Sequence, residues 1–159
     1  MRLFHYALIP VLDNKHLVAQ WRECIAIKRQ WEKGTLKHRL VSYVMNYDKI
    51  YFMGYVISLI EEMRKRKINY NKIYYKEILD FCEGFTTANY PEHNDRYLRQ
   101  CLYNLEEKAM RNIISKDEWL KIYNKFKDFT DLWDGEIISQ EEWDKIKNIN
   151  NTIKLTEVI

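Results

Sequence analysis

The stretch HLVAQWREC, residues 16–24, decides the fold class, because its large apolar side chains recur at the spacing of an α-helix. Leu17, Trp21 and Cys24 are separated by four and three residues and therefore share one helical face. A helix with such a face packs it against a hydrophobic core. The predicted core stripe of this helix comprises Leu17, Trp21, Cys24, Ile25 and the stem of Lys28.

Capping signals set the limits of this first helix and predict further helices. Asp13 or Asn14 can accept a hydrogen bond from the first helical turn, and Gly34 is a typical residue just after a helix end near Lys33. The chain has only 4 Gly and 2 Pro, which favours long helices over a turn-rich fold. The same signals predict three more helices, which start at Asn46 or Asp48, at about Lys72, and at Asn94 or Asp95. We therefore predict an all-α fold, a compact multi-helix single domain with a C-terminal appendage.

The appendage is predicted from a short motif that occurs twice near the end of the chain. The motif reads IISKDEW over residues 113–119 and IISQEEW over residues 137–143. Each copy contains Ser-x-x-Glu, a capping box that starts a helix. We predict a helical domain over residues 1–112 and a helical C-terminal extension over residues 113–159. The extension either packs on the domain or binds a protein partner.

Charge is divided unevenly along the chain. Residues 1–76 hold 15 Lys and Arg against 6 Asp and Glu, a net charge of +9, although the whole chain carries only +3. Such a basic half suggests a polyanionic partner, and two solvated faces of opposite sign would explain it equally well.

Cysteine usage and hydropathy indicate the compartment. Cys24, Cys82 and Cys101 are scattered and form no CxxC pair, so we predict reduced core thiols without a disulfide framework or zinc site. Polar residues interrupt the apolar N-terminal segment, residues 1–12, and no later run reaches membrane-spanning length. We expect a cytoplasmic protein that does not enter a membrane.

A carboxylate lies between small residues on a second face of the first helix. His16, Ala19, Glu23, Ala26 and Gln30 share this face at helical spacing. Because its neighbours are only methyl groups, the Glu23 carboxylate can contact a ligand. High helix propensity is the alternative reason for the alanines.

Other catalytic motifs are missing from the sequence. No HExxH, glycine-rich phosphate loop or G-x-S-x-G occurs, and no pair of histidines has i, i+4 spacing. We therefore predict no metal and no cofactor.

The order and spacing of several segments resemble the pyrimidine-dimer DNA glycosylase/AP-lyase family, the phage ultraviolet-repair endonuclease type. The similarity covers residues 1–112. The segments that carry it are Met1-Arg2, HLVAQWRE at 16–23, Lys37-His38, the block NYDKIYFMGYVISLIEEMRKRKINYN, and YPEHNDRYLRQCLYNLEEKAM at 90–110. A bacterial and phage branch that begins MRL-aromatic-His and carries YPEHN is especially similar.

The resemblance implies a mechanism. In that family a free N-terminal amine attacks C1′ of a damaged nucleotide, the base leaves, an imine forms, and β-elimination nicks the strand. It implies catalytic roles for Met1, Glu23 and Arg22, and DNA contact by Arg2. An α-amine has a reference pKa of about 8, so part of it is unprotonated near neutrality. Glu23 can stabilise positive charge at C1′ and transfer protons.

The residue after Met1 departs from the family pattern. Known members have a small second residue, so their Met is removed, whereas Arg2 favours retention of Met1. Three readings follow: Met1 supplies the nucleophile, the terminus is processed in another way, or the branch lacks the lyase step. The preferred reading is Met1. The base removed is also open, since this branch can act on another modified base.

The implied partner is double-stranded DNA with a damaged or modified base, acted on in the cytoplasm, which is the host cytoplasm if a phage encodes the chain. Cations near the end of the first helix and in the basic loop, residues 33–40, would contact phosphates. The predicted DNA-binding residues are Arg2, His16, Arg29, Lys33, Lys37, His38, Arg39 and His93. The alternatives are a non-catalytic DNA-binding relative, a helical protein-interaction module that uses residues 113–159, and a metal-dependent nuclease.

Overall fold

Five α-helices and two short 3-10 helices form the part of the chain that the structure describes. The structure is a computed structural model, and it describes residues 1–127. The α-helices are α1 (Asn14–Glu32), α2 (Lys49–Lys65), α3 (Lys72–Cys82), α4 (Asp95–Met110) and α5 (Lys116–Phe126). The 3-10 helices are Tyr6–Val11 and Ser42–Asn46. Residues 1–127 contain no β-strand, and the predicted all-α fold is confirmed.

The predicted limits of α1 are confirmed. The Asp13 side chain accepts a hydrogen bond from the His16 backbone N–H at 3.2 Å and so caps the first turn. At the other end, Gly34 has φ +72°, a conformation that favours glycine and ends the helix. Asp48, Asn71 and Asn94 cap α2, α3 and α4 in the same way.

Helix α2 forms the centre of the domain and contacts α1, α3 and both 3-10 helices. It is buried along most of its length because its apolar residues cover more than one face. Its fully buried side chains are Phe52, Met53, Val56, Leu59, Ile60 and Met63. Burial of each such side chain contributes about 1.5–3 kcal/mol of transfer free energy, so the core rests mainly on this helix.

Gly54 allows a loop to approach α2 closely. A Cβ atom at this position would lie 2.1 Å from the backbone oxygen of Thr86. The loop is also bonded to the helix, since the Thr86 N–H donates to the Ile50 carbonyl at 3.1 Å. A side chain at position 54 would therefore separate α2 from the loop that leads to α4.

Arg66, one of the cations in MRKRK at residues 63–67, has a structural role. Its guanidinium donates to the carbonyls of Ile9, Pro10 and Leu12, where the first 3-10 helix ends. It also pairs with Glu62 at 2.8 Å. These contacts fasten the N-terminal segment to the end of α2.

Two details of the predicted α1 surface were wrong. Ile25 is only half-buried, and Gln20, which the apolar pattern omits, is 3% exposed. His16 is buried too, so the face that carries Glu23 packs against protein at its N-terminal end. The other members of that face, from Ala19 to Gln30, are half-buried. Pattern alone misses these polar residues because their burial depends on partners from distant segments.

The first of the two capping boxes is confirmed at the start of α5. The Glu118 N–H donates to the Ser115 hydroxyl at 3.1 Å, and the Glu118 carboxylate accepts from the Ser115 N–H at 2.9 Å. The second copy, residues 137–143, lies outside the described residues. Contacts within the chain define a first unit from Met1 to Ile122. The division after residue 112 stays a prediction.

No helix among residues 1–127 combines the length and the apolar character that crossing a membrane requires.

Candidate active site

Gln20 holds the N-terminal arm, residues 1–7, against α1. Its side-chain oxygen accepts from the Phe4 N–H at 2.9 Å, and its amide nitrogen donates to the Arg2 carbonyl at 2.9 Å. The amide thus pairs with the arm as a neighbouring β-strand would. Because the Gln20 side chain is buried, these bonds are shielded from water and fix where the arm begins.

Side chains from α2, α4 and the loop before α4 hold the rest of the arm. The Tyr97 hydroxyl donates to the Leu3 carbonyl, and the Tyr55 hydroxyl donates to the Phe4 carbonyl at 2.7 Å. The backbone N–H groups of the next three residues are also bonded: His5 to Cys101 Sγ, Tyr6 to His93 Nδ1 and Ala7 to His5 Nδ1. Side chains therefore bond at least one backbone group of every residue from 2 to 7, which leaves the arm little freedom.

The chain start lies beside the basic loop. The Met1 amine is 3.3 Å from His38 Nε2, and the Leu40 N–H donates to His38 Nδ1 at 3.3 Å. Because Nδ1 accepts that bond, a neutral imidazole carries its proton on Nε2. In this tautomer Nε2–H can donate to the lone pair of an unprotonated amine. His38 is thus positioned to contact the amine of Met1.

Two adjoining depressions lie at this place. One is an open depression lined by His38, Arg39 and Leu40. The other is a cleft of about 310 Å³ between the basic loop and the start of α4. The cleft is lined by Arg39, Leu40, Tyr43, Glu92, Asn94, Arg96, Tyr97 and Gln100. Because Arg39 and Leu40 line both, the two depressions adjoin, and the second is of the size that holds a small planar ligand.

Arg22 and Glu23 follow Gln20 within one turn of α1. Arg22 is exposed and Glu23 is half-buried. Neither side chain makes a hydrogen bond or ion pair with another residue in the described part of the chain. A half-buried carboxylate without a protein partner remains available to a ligand.

Arg2 lies near Tyr97. Burial raises the pKa of the Tyr97 hydroxyl, and the charge of Arg2 together with a hydrogen bond from it opposes part of that rise. The same guanidinium opposes the rise in the pKa of the Cys101 thiol. Arg2 therefore points toward α4, beside a residue that lines the cleft.

His16 and His93 are buried and already have protein partners. His16 Nδ1 lies 2.9 Å from Asp13, and its Nε2 lies 3.1 Å from Lys108. His93 Nδ1 accepts from Tyr6 at 3.2 Å, so its Nε2–H donates to the Tyr43 hydroxyl at 2.7 Å. Burial lowers the pKa of His93 to about 3, which keeps it neutral. DNA contact by either histidine stays a prediction.

Comparison with known proteins relates the part of the chain that contains the arm and the basic loop to a protein family. The model of one protein family, described as pyrimidine dimer DNA glycosylase, matches residues 1–76. Residues 1–76 are thus similar to the pyrimidine dimer DNA glycosylase family. This similarity supports a DNA glycosylase, with DNA as its substrate. Neither the curated proteins nor the solved structures gave a significant match.

The match to the pyrimidine dimer DNA glycosylase family covers the arm, α1, the basic loop and α2. It confirms the family resemblance for that part of the chain. The cleft also uses residues 92–100, which lie beyond the matched segment. The segment that contains YPEHN was part of the predicted resemblance, and its motif detail stays a prediction.

The remaining predicted DNA contacts of this glycosylase-family segment follow the end of α1 and the basic loop. Lys33, Lys37 and Arg39 are exposed, as phosphate contacts must be. Arg29 is exposed as well, but its guanidinium lies over the Tyr74 ring, 4.7 Å from the centroid. A stacked guanidinium keeps its outer N–H groups for phosphate. These DNA contacts stay predictions.

Within residues 1–127, no group of three or more His, Cys, Asp or Glu side chains is arranged to hold a metal ion.

Sequence reasoning missed the residues that hold the arm. Gln20 and Tyr55 were not singled out, and Tyr97 was expected only to pack. A polar residue inside an otherwise apolar segment was the available signal for Gln20, because a buried amide needs partners. The partners themselves come from segments up to 94 residues away, which no local pattern identifies.

Proposed function

We propose that this chain is a DNA glycosylase with AP-lyase activity that uses its N-terminal amine as the nucleophile. The observation that carries the proposal is the arm. Side chains fix its backbone from residue 2 to residue 7, and its free end lies 3.3 Å from His38 at the edge of two depressions. Ordering a chain terminus so fully costs conformational entropy, and a role for the terminal amine explains that cost.

The proposed reaction has two stages. The unprotonated Met1 nitrogen attacks C1′ of the damaged nucleotide and forms a C1′–N bond. The glycosidic bond breaks, and the base leaves with its electron pair and takes up a proton. The bound nitrogen loses a proton, and the C1′–O4′ bond then breaks as O4′ takes up a proton, which leaves an iminium ion at C1′ of the opened sugar. The iminium ion acidifies the C2′ proton, whose removal expels the 3′ phosphate and nicks the strand.

Glu23 is proposed as the acid/base of both stages. Its carboxylate can stabilise positive charge at C1′ and transfer protons during ring opening and elimination. Glu23 lies three residues beyond Gln20, a rise of about 4.5 Å along α1. Gln20 holds the Arg2 carbonyl, and Met1 is only one residue from Arg2, a Cα separation of about 3.8 Å. These short separations support action by both groups on one sugar.

The proposed DNA contacts surround this pair. Arg22 and Arg2 are expected to contact the strand that is cleaved, and the exposed cations of the basic loop are expected to contact phosphates. The net charge of +9 in residues 1–76 supports a polyanion as the partner. Action in the cytoplasm, on host or phage DNA, follows from this substrate and is part of the proposal.

Borohydride trapping tests the mechanism. The protein is incubated with a duplex that contains an abasic site, and borohydride reduces any imine to a stable adduct. We expect an adduct whose mass locates the DNA on the Met1 nitrogen, and a loss of at least 100-fold in trapping rate for Glu23→Gln. Glu61→Gln, an exposed carboxylate on α2, is the matched control and should leave the rate unchanged.

The other hypotheses predict different results. Binding to DNA without an adduct, unaffected by Glu23→Gln, would indicate a non-catalytic relative. Intact-mass spectrometry of the same sample shows whether Met1 is present with a free amine, which separates a blocked terminus from an inactive site. An ultraviolet-irradiated duplex, compared with the abasic one, tests whether a pyrimidine dimer is the lesion.

A protein partner that binds through residues 113–159 remains a separate proposal. Ile114 and Ile122 are buried, so removal of all these residues would also expose part of the described unit. A chain that ends after Lys127 keeps both and is the better test. Loss of partner capture with unchanged DNA trapping would support the proposal.

A further inference from the structure

Leu40 is an exposed apolar side chain within a run of cations. It is 46% exposed, and Lys37, His38 and Arg39 precede it directly. Scattered exposed leucines are ordinary on protein surfaces. This one differs because it lines both of the depressions beside the Met1 amine. Its position therefore relates it to the proposed reaction site.

The backbone under Leu40 is fixed. The His38 carbonyl accepts from the N–H groups of Val41 and Ser42, at 3.1 and 2.9 Å, and Val41 is fully buried. The Leu40 N–H itself donates to the His38 ring. A tight turn that is held by a buried residue can keep an apolar side chain at a fixed position on the surface. An unrestrained loop cannot.

We propose that Leu40 inserts between base pairs of the bound duplex and holds the lesion open while the adjoining cleft receives the displaced nucleotide. The inference rests on the proposed function and adds the device that opens the substrate. Apolar side chains that insert into a base step unstack it and kink the duplex. Lys37 and Arg39, which precede Leu40, would supply the phosphate contacts that such insertion requires. A surface that combines positive charge with one apolar projection fits duplex DNA better than it fits an apolar protein partner.

The cleft matches a displaced nucleotide in its chemistry. Tyr43 and Tyr97 offer ring faces or edges to a base, and Asn94 and Gln100 offer amide groups to its hydrogen-bonding edge. Arg96 and Arg39 can bind the flanking phosphates. Leu40 lines both this cleft and the depression that His38 also lines, so insertion and displacement would occur at adjacent positions.

Trapping on two substrates separates opening of the duplex from chemistry. A single-stranded oligonucleotide with an abasic site needs no opening, whereas the same site in a duplex does. We expect Leu40→Ala to lower the trapping rate on the duplex at least tenfold and to change it less than twofold on the single strand. Leu40→Met should retain most of the duplex activity.

Met45→Ala is the matched control. Met45 is 40% exposed, lies in the neighbouring 3-10 helix and lines neither depression, so its loss should affect neither substrate. Equal rates for Leu40→Ala and the parent protein on the duplex would overturn the inference. An equal fall on both substrates would also overturn it, because Leu40 would then act through His38 or the amine.

A binding measurement keeps the inference testable if the chain proves to have no lyase activity. The probe is a duplex with 2-aminopurine beside the abasic site, whose fluorescence rises when the base unstacks. In the Glu23→Gln background, binding should raise the fluorescence, and the further change Leu40→Ala should abolish at least 80% of that rise. Absence of any rise overturns the insertion, whereas a rise combined with no trapping by the parent protein overturns only the proposed catalysis.

Discussion

The arm and the basic loop meet at the Met1–His38 contact, yet they differ in burial and in how their backbones are bonded. The arm is largely buried, and side chains from three helices bond its backbone. The basic loop, residues 33–40, buries only Leu36, and its cations are exposed. The comparison indicates a division of labour in which one segment fixes a reactive group and the other presents exposed side chains to the substrate.

Removal of the arm's central support should give the largest effect. Gln20→Leu keeps the side-chain volume but leaves the Phe4 N–H and the Arg2 carbonyl buried without partners. Each unsatisfied buried group costs about 1–3 kcal/mol, so we expect the free energy of unfolding to fall by about 2–4 kcal/mol. Urea denaturation measures this loss, and the trapping rate should fall about 100-fold at temperatures where the variant is folded.

Gln30→Leu is the control for that experiment. Gln30 lies on the same helix and is half-buried, but it makes no side-chain bond to the arm. Its free energy of unfolding should change by less than about 0.5 kcal/mol. A fully active Gln20→Leu protein would show that the arm needs no fixed start.

Low pH should destabilise the arm, which buried histidines support, more than it destabilises the basic loop. His93 is neutral in the fold because burial lowers its pKa to about 3, whereas in the unfolded chain the pKa is about 6.5. Below pH 6.5 the unfolded state binds the extra proton, so stability falls as the pH is lowered toward 3, by about 1.4 kcal/mol per pH unit. His5, whose pKa burial also lowers, acts with the same sign.

Thermal or urea unfolding between pH 4 and pH 7 measures this dependence. His93→Gln should lower stability at pH 7 but reduce the slope by about 1.4 kcal/mol per pH unit. Parallel curves for His93→Gln and the parent chain would contradict the neutral, buried state of His93.

Loss of loop cations should reduce DNA affinity without loss of stability. The double change Lys37→Ala with Arg39→Ala removes two exposed charges. If each contacts a phosphate, the slope of log K against log salt falls in magnitude by about 1.8. Fluorescence anisotropy across a salt series gives the slope.

A second basic surface supplies the comparison for the loop. A cleft of about 330 Å³ between α2 and α3 is lined by Arg64, Lys67, Ile68, Asn69, Tyr70 and Lys72. The double change Lys67→Ala with Lys72→Ala removes the same charge there and should reduce the slope much less. Equal reductions for the two surfaces would show that only total charge matters.

The smallest effect is expected at the start of α5. Ser115→Ala removes the hydroxyl that accepts from the Glu118 N–H, and such a cap contributes about 1 kcal/mol. Hydrogen exchange should show faster opening of the first turn of α5, while the trapping rate stays unchanged. A change in trapping rate would mean that α5 is coupled to the site formed by the arm and the loop.

The sequence by itself determined the helices, because their signals are local. Apolar spacing predicted α1 to α4, and residues such as Asp13, Asp48 and Asn94 act as caps through bonds to amides two or three positions away. It also identified the family, because Met1-Arg2, HLVAQWRE and Lys37-His38 lie in the matched part of the chain, residues 1–76. Propensity and capping act over one or two turns, so a single sequence displays them.

Only the tertiary structure decided how the arm is held and which groups surround its free end. The local sequence does not indicate that Gln20, Tyr55 and Tyr97 bond the same segment. They meet because three helices pack around residues 1–7. The same packing buried His16 and His93, which the sequence offered as DNA ligands. A buried polar group takes whatever partner the fold brings within hydrogen-bond distance, and that partner is set by contacts between segments far apart in the chain.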